Sequence, residues 1–90
     1  MNEELIAAAE IGDEALKFVE SDLGRTMLGI AEQDILLAQQ KLLDVDPDDS
    51  RRVREIQNDA RVALMFKSWL VELIDKGNAA LEVFKHEQEN

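Results

Sequence analysis

Apolar residues recur every three or four positions along most of this chain, which is the repeat of one face of an α-helix. Between residues 28 and 45 the steps alternate regularly between three and four. The positions are Leu28, Ala31, Ile35, Ala38, Leu42 and Val45. This is the a/d seam of a coiled coil, and its alanines allow two helix axes to approach closely. We therefore predict a helix over residues 22–44 that packs its seam on a second helix.

A second long seam follows the acidic turn at residues 44–50. Its members are Val53, Ile56, Ala60, Ala63, Lys67, Leu70, Ile74, Gly77, Leu81 and Phe84. We predict a helix over residues 48–87, with Asp46 as its N-cap and Pro47 at its start, where the missing N–H of proline costs nothing. Gly77 either ends this helix or marks a point of close packing. The short turn makes the two helices antiparallel.

The first twenty residues predict a further helix, over residues 3–20, with Asn2 as its N-cap. Ser21 can cap the next helix and Gly24 allows a bend, so the pattern leaves open whether the first two helices are continuous or kinked. The fold prediction is a single all-α domain: an antiparallel helical hairpin with an additional N-terminal helix. Its first two helices lie end to end against the third.

The third predicted helix carries more apolar surface than a hairpin needs. A second stripe lies roughly opposite the seam, and the second helix also has extra leucines. A helix that is apolar nearly all round is buried in a larger core or by another chain, and ninety residues build only a small core. We expect a homo-oligomeric helical bundle, most simply a two-fold dimer. The expected interface residues are Val62, Met65, Phe66, Trp69, Leu73, Leu36 and Leu37. The alternative is a three-helix monomer in which the first helix covers the stripe.

The net charge of −10 is unevenly distributed. Residues 1–50 carry thirteen acidic and three basic side chains, whereas residues 51–90 carry seven of each. Nucleic acid and anionic membrane surfaces repel such a chain, so we expect neither as a partner. The chain has no cysteine, and no apolar run approaches the length of a membrane span. We expect a cytoplasmic location.

The residues that could carry chemistry have simpler explanations. Asp44, Asp46, Asp48 and Glu55 match positions of a calcium-binding loop, but Asp49 stands where that loop needs glycine. The one histidine, His86, lacks the Glu-x-x-His spacing of helical metal sites. We predict no metal site, no cofactor and no enzymatic activity.

Carboxylates along the first helix suggest a second function. Glu3, Glu10, Asp13, Glu14 and Glu20 lie near one side of it. Such a row of charges can imitate the phosphates of a DNA duplex, so the alternative function is an acidic inhibitor of a host nucleic-acid-binding protein. An ordinary solvated helix face has the same composition.

Two segments carry a resemblance. Residues 18–25 (FVESDLGR) and 61–77 (RVALMFKSWLVELIDKG) resemble segments of small all-helical proteins encoded by tailed phages and prophages. The resemblance implies a phage accessory or assembly protein that acts through contacts with itself or with a host or viral protein, in the host cytoplasm or in the virion. It brings no functional residues with it.

Overall fold

Three α-helices account for the fold. A computed structural model describes residues 2–89, with α1 at Glu3–Glu20, α2 at Asp22–Asp44 and α3 at Ser50–Glu89. The described part of the chain contains no strand, so the all-α prediction is confirmed. The bounds of α1 and α2 agree with the sequence, whereas α3 begins two residues later than predicted and also ends later.

A single residue separates α1 from α2. Ser21 is extended, with φ −74° and ψ 160°, and ends α1. Its hydroxyl accepts a hydrogen bond from the backbone N–H of Gly24 at 3.0 Å and donates one to the carbonyl oxygen of Phe18 at 2.5 Å. A side chain at Gly24 would collide with the Phe18 carbonyl. The two helices are therefore distinct, which the sequence pattern left open.

The turn into α3 is capped differently from the prediction. The carboxylate of Asp49, not that of Asp46, accepts a hydrogen bond from a first-turn N–H of α3, that of Arg52, at 3.1 Å. The Asp46 carboxylate instead accepts the N–H of Asp48 at 2.9 Å, which closes an Asx-type turn around Pro47. Either of two aspartates three residues apart can act as an N-cap. In the folded chain the later one, Asp49, caps α3.

The molecule is a rod built on α3. Forty residues of α-helix span about 60 Å, and the longest dimension of the chain is 61 Å. The radius of gyration of 18.4 Å exceeds the roughly 12 Å of a compact domain of ninety residues. The Glu32–Lys67 ion pair joins α2 to the first half of α3, and Gly12 of α1 packs on Gly77 in the second half. α1 and α2 thus lie end to end along α3, as predicted.

The most deeply buried positions of the α2–α3 seam are three small residues and one large one. Ala31, Ala38 and Ala63 are buried, and Ile56 is 1% exposed. Lys67, the charged member of the seam, is half-buried, and its Nζ lies 3.3 Å from the Glu32 carboxylate. Its aliphatic stem thus stays in the seam while the ammonium reaches the surface.

The prediction that Leu81 lies in the seam is wrong. Leu81 is 53% exposed, and Ala80 takes its place with 2% exposure. Beyond Gly77 the helix that packs on α3 is α1, not α2, and the buried side of α3 shifts by one residue to meet it. A strict heptad extrapolated from the α2 contact therefore fails at this end.

Gly77 does not end α3. It lies inside the helix, and it is buried against Gly12 of α1. Of the two alternatives that the sequence left open, the close-packing point is the one observed.

Between residues 2 and 89, none of the helices combines the length and apolar composition that a membrane crossing requires.

Candidate interaction surface

An open groove runs between α2 and α3 on one side of the hairpin. Six apolar residues line it: Met27, Ile30, Ala31, Val62, Ala63 and Phe66. Its volume is about 290 Å³, and the carboxylates of Asp34 and Asp59 stand at one end. The groove exists because the alanines hold the two helices close at the seam while longer side chains rise on either side of it.

The groove continues toward the turn. A second depression of about 270 Å³ shares Asp34, Asp59 and Val62 with the first and adds Leu37, Ala38 and Lys41. Together they form one elongated apolar channel with two acidic groups near its middle and a basic group at its end.

The stripe predicted on α3 borders this groove and stays open to solvent. Val62 and Phe66 line the groove, and Trp69 and Leu73 follow at successive turns on the same side of the helix. Phe66 is half-buried, and the exposed fractions of the others are Val62 69%, Trp69 56%, Met65 43% and Leu73 37%. α1 packs farther along α3, so the arrangement in which the first helix covers the stripe is not the one adopted. We call the groove lining together with Met65, Trp69 and Leu73 the groove face.

The two α2 residues predicted at the interface, Leu36 and Leu37, lie on different sides of the helix. Leu37 lines the groove and is 49% exposed. Leu36 is 58% exposed and points about 100° away around the helix, because consecutive helical residues diverge by that angle. Leu36 therefore lies outside the groove face.

The sequence pattern does not predict the α2 side of the groove. Met27 and Ile30 are 39% and 56% exposed, and Leu23 one turn earlier is 65% exposed. The spacing of Leu23, Met27, Ile30 and Leu37 is itself a helical stripe. The stronger repeat of the seam residues between them obscured it.

The opposite side of the hairpin is more polar. Leu64 and Val71 are exposed there, but the hollow beside them is also lined by Lys67, Ser68, Glu72, Asp75 and Lys76. Lys76 and Glu72 form an ion pair at 3.0 Å at its edge. Lys76 follows Trp69 by seven residues, so its backbone lies on the stripe side of α3 and its side chain reaches toward the hollow. The two apolar residues on this side are thus interrupted by charged and polar side chains.

The carboxylates of α1 are exposed. Glu3, Glu10 and Glu14 are exposed, and Asp13 forms an exposed ion pair with Lys17 at 2.8 Å. This hydrogen bond and the negative charge of Asp13 raise the pKa of Lys17 above its ordinary value. α1 therefore presents an acidic outer surface.

Two of the four acids that match a calcium loop, Asp46 and Glu55, have other partners, as does the neighbouring Asp49. Glu55 pairs with Arg51 at 3.4 Å and with Arg52 at 3.3 Å, and the Asp46 and Asp49 carboxylates cap backbone N–H groups. Within residues 2–89, no three His, Asp or Glu side chains are grouped so that they could hold a metal ion. His86 is exposed, with its Nδ1 4.0 Å from the Glu89 carboxylate.

The groove face thus stays largely exposed in the single chain. Comparisons of the chain with protein-family models, with curated proteins and with solved structures find no match.

Proposed function

We propose that this chain is a non-enzymatic protein that associates with itself through the groove face and acts through protein–protein contacts. The observation that carries the proposal is the exposure of Trp69 beside the half-buried Phe66. Large aromatic side chains at the centre of an apolar patch are typical of interface hot spots. A pair of hairpins that meet at this face forms a four-helix arrangement, which is a stable way to cover such a stripe.

The total surface supports the same conclusion. The chain exposes 6963 Å², about 1,600 Å² more than the roughly 5,300 Å² that a compact monomer of its mass exposes. A stable protein interface removes about 800 Å² from each partner. The excess is therefore large enough for a standard interface on each copy.

The distribution of charge also permits self-association at this face. α3 carries seven acidic and seven basic side chains, so the helix that bears the stripe is neutral. The entire net charge of −10 lies in residues 1–50. Two copies that meet through α3 hold α1 and the acidic turn at the periphery, where solvent and salt screen their repulsion.

The resemblance of residues 18–25 and 61–77 to phage-encoded helical proteins supports a viral accessory or assembly role. In that role the dimer presents its acidic outer surfaces to a further host or viral partner, in the host cytoplasm or in the virion. The self-association itself depends only on the groove face.

The proposal is tested with two matched variants. Trp69 and Val71 are 56% and 54% exposed, but they lie on different sides of α3. Trp69→Glu and Val71→Glu therefore add the same charge at equally exposed helical positions. By sedimentation velocity at micromolar concentration, we expect wild type and Val71→Glu to have about twice the 10.2 kDa mass of one chain, and Trp69→Glu to have that mass. A monomeric wild type, or an equal effect of the two substitutions, contradicts the proposal.

The exposed carboxylates of α1 support a second candidate, an acidic inhibitor that imitates DNA. Glu3, Glu10 and Glu14 are exposed along one helix. Such a protein binds its target mainly through charge, so host nucleases or polymerases captured by it are released as salt rises. Neutralising these three glutamates to glutamine abolishes that capture and leaves self-association intact, which separates the two functions.

A further inference from the structure

We propose that two copies pair α3 against α3 in antiparallel orientation, about a two-fold axis that passes between the two helices at the level of Lys67 and Ser68. Phe66 of one copy then meets Trp69 of the second copy, and Asp59 meets Lys76. This inference rests on the proposed self-association and specifies its register and its charge contacts.

The apolar positions of α3 are balanced about this axis. Val62 and Leu73 lie equally far from it on either side, as do Phe66 and Trp69. In an antiparallel pair each residue faces the one at its mirrored position, so the four residues interlock as two Val62–Leu73 and two Phe66–Trp69 contacts. Aromatic pairs of this kind contribute beyond the area that they bury.

The charges that flank the stripe fit the same register. Asp59 precedes Val62 by three residues and Lys76 follows Leu73 by three, so they too are equally far from the axis. Their opposite charges meet across the antiparallel pair, twice in each dimer. A parallel pair instead places Asp59 against Asp59 and Lys76 against Lys76, and like charges brought together in this way disfavour the arrangement.

α2 has its centre at the same level. The ion pair between Glu32 and Lys67, at 3.3 Å, places Glu32 beside the proposed axis. Met27 and Leu37, which both line the groove, lie five residues before and after Glu32. The same two-fold axis therefore brings Met27 of one copy onto Leu37 of the second. The apolar positions of α2 and of α3 are thus symmetric about the same level along the molecule.

The contacts within one chain do not oppose this pairing. Lys76 forms an ion pair with Glu72, but the two side chains are 65% and 59% exposed. Exposed pairs of this type are weak and exchange readily. Asp59 lines the groove, on the face where the second copy arrives.

The chain contains no cysteine, so introduced thiols test the register directly. The variants are Asp59→Cys and Lys76→Cys, treated separately and as a mixture with a thiol crosslinker that spans about 10 Å, the usual separation of packed helix axes. Within one helix the two positions lie about 25 Å apart. In the antiparallel dimer each position also lies about 25 Å from its own copy. The crosslinker can therefore join only position 59 of one copy to position 76 of the other.

We expect about tenfold more crosslinked dimer from the mixture than from either variant alone, because the thiols in each homodimer are too far apart for the reagent. Efficient crosslinking of Asp59→Cys alone indicates a parallel pair and overturns the register. A mixture that sediments as a dimer but does not crosslink also overturns the register and leaves the proposed self-association standing. If the mixture and wild-type protein both sediment as monomers, the self-association and the register fail together.

Discussion

Gly12 and Gly77 bring the backbones of α1 and α3 into direct contact. A Cβ atom placed on either glycine would lie 2.7 Å from the Cα atom of the other. The nearest other atoms are also backbone, the carbonyl oxygens of Leu73 and Ala8, so no flexible side chain can give way. This contact fixes α1 on the second half of α3 and leaves the stripe around Trp69 uncovered.

Alanine at either glycine is expected to destabilise the fold. Gly12→Ala and Gly77→Ala each force α1 away from α3, and overpacking of this kind costs about 1–3 kcal/mol. That cost exceeds the gain of about 1 kcal/mol that alanine brings to a helix interior. Urea unfolding of the variants, compared with wild type, measures the difference in the free energy of unfolding.

Gly29 is the matched control for this comparison. It also lies inside a helix, but a Cβ atom there meets no other atom within 4 Å. Gly29→Ala is therefore expected to stabilise the protein by about 1 kcal/mol, through helix propensity alone. If all three substitutions change the free energy of unfolding in the same direction, the close contact between α1 and α3 does not distinguish Gly12 and Gly77 from Gly29.

The cap of α3 gives a second prediction. Asp49→Ala removes the carboxylate that accepts the N–H of Arg52, and loss of an N-cap costs about 1 kcal/mol. Asp49→Asn keeps an acceptor oxygen at the same place, so we expect it to retain most of the stability. Thermal unfolding followed by circular dichroism distinguishes them. Equal losses in the two variants would show that charge, and not the hydrogen bond, matters at this position.

Much of the fold follows from the sequence, because helical repeats and caps are local signals. The bounds of α1 and α2 and the seam at Ala31 and Ala38 could be predicted in this way. The cap at Asp49 could not, since Asp46 offers the same side chain three residues earlier. The buried Ala80 also could not be predicted, because it depends on which helix packs on that end of α3.

The sequence predicts the α3 side of the groove face but not its α2 side. The stripe around Phe66 and Trp69 is visible in the sequence because it exceeds the needs of one seam. Its counterpart on α2, at Met27 and Ile30, was hidden by the regular heptad beside it. Leu36 and Leu37 are apolar neighbours in the sequence, which suggests one surface for both, although an α-helix turns them about 100° apart.

The acidic group in the groove gives a third prediction. Asp34 lines the groove among apolar residues, and pairing of two copies removes water from its surroundings. Asp34→Asn removes the charge at nearly constant shape, so we expect the dimer to bind about fivefold more tightly, since partial desolvation of a charge costs on the order of 1 kcal/mol. Sedimentation equilibrium measures the dissociation constant.

Asp75→Asn is the control for this measurement. It removes the same charge, but Asp75 lines the hollow on the opposite side of α3. We expect its effect on the dissociation constant to be much smaller and to vanish as salt screens the net charge. Equal tightening by the two variants would indicate general repulsion between acidic chains instead of contact at the groove face.

The fluorescence of Trp69 reports directly on the proposed pairing of two copies at the groove face. It is the one tryptophan in the chain, so the emission reports this side chain alone. In the single chain the side chain is 56% exposed, whereas in the proposed dimer it is buried against Phe66 of the second copy. We predict that the emission maximum shifts to longer wavelength on dilution, at the concentrations where the sedimenting mass falls from two chains to one. An emission maximum that stays at the wavelength of a solvated indole at every concentration would contradict the account.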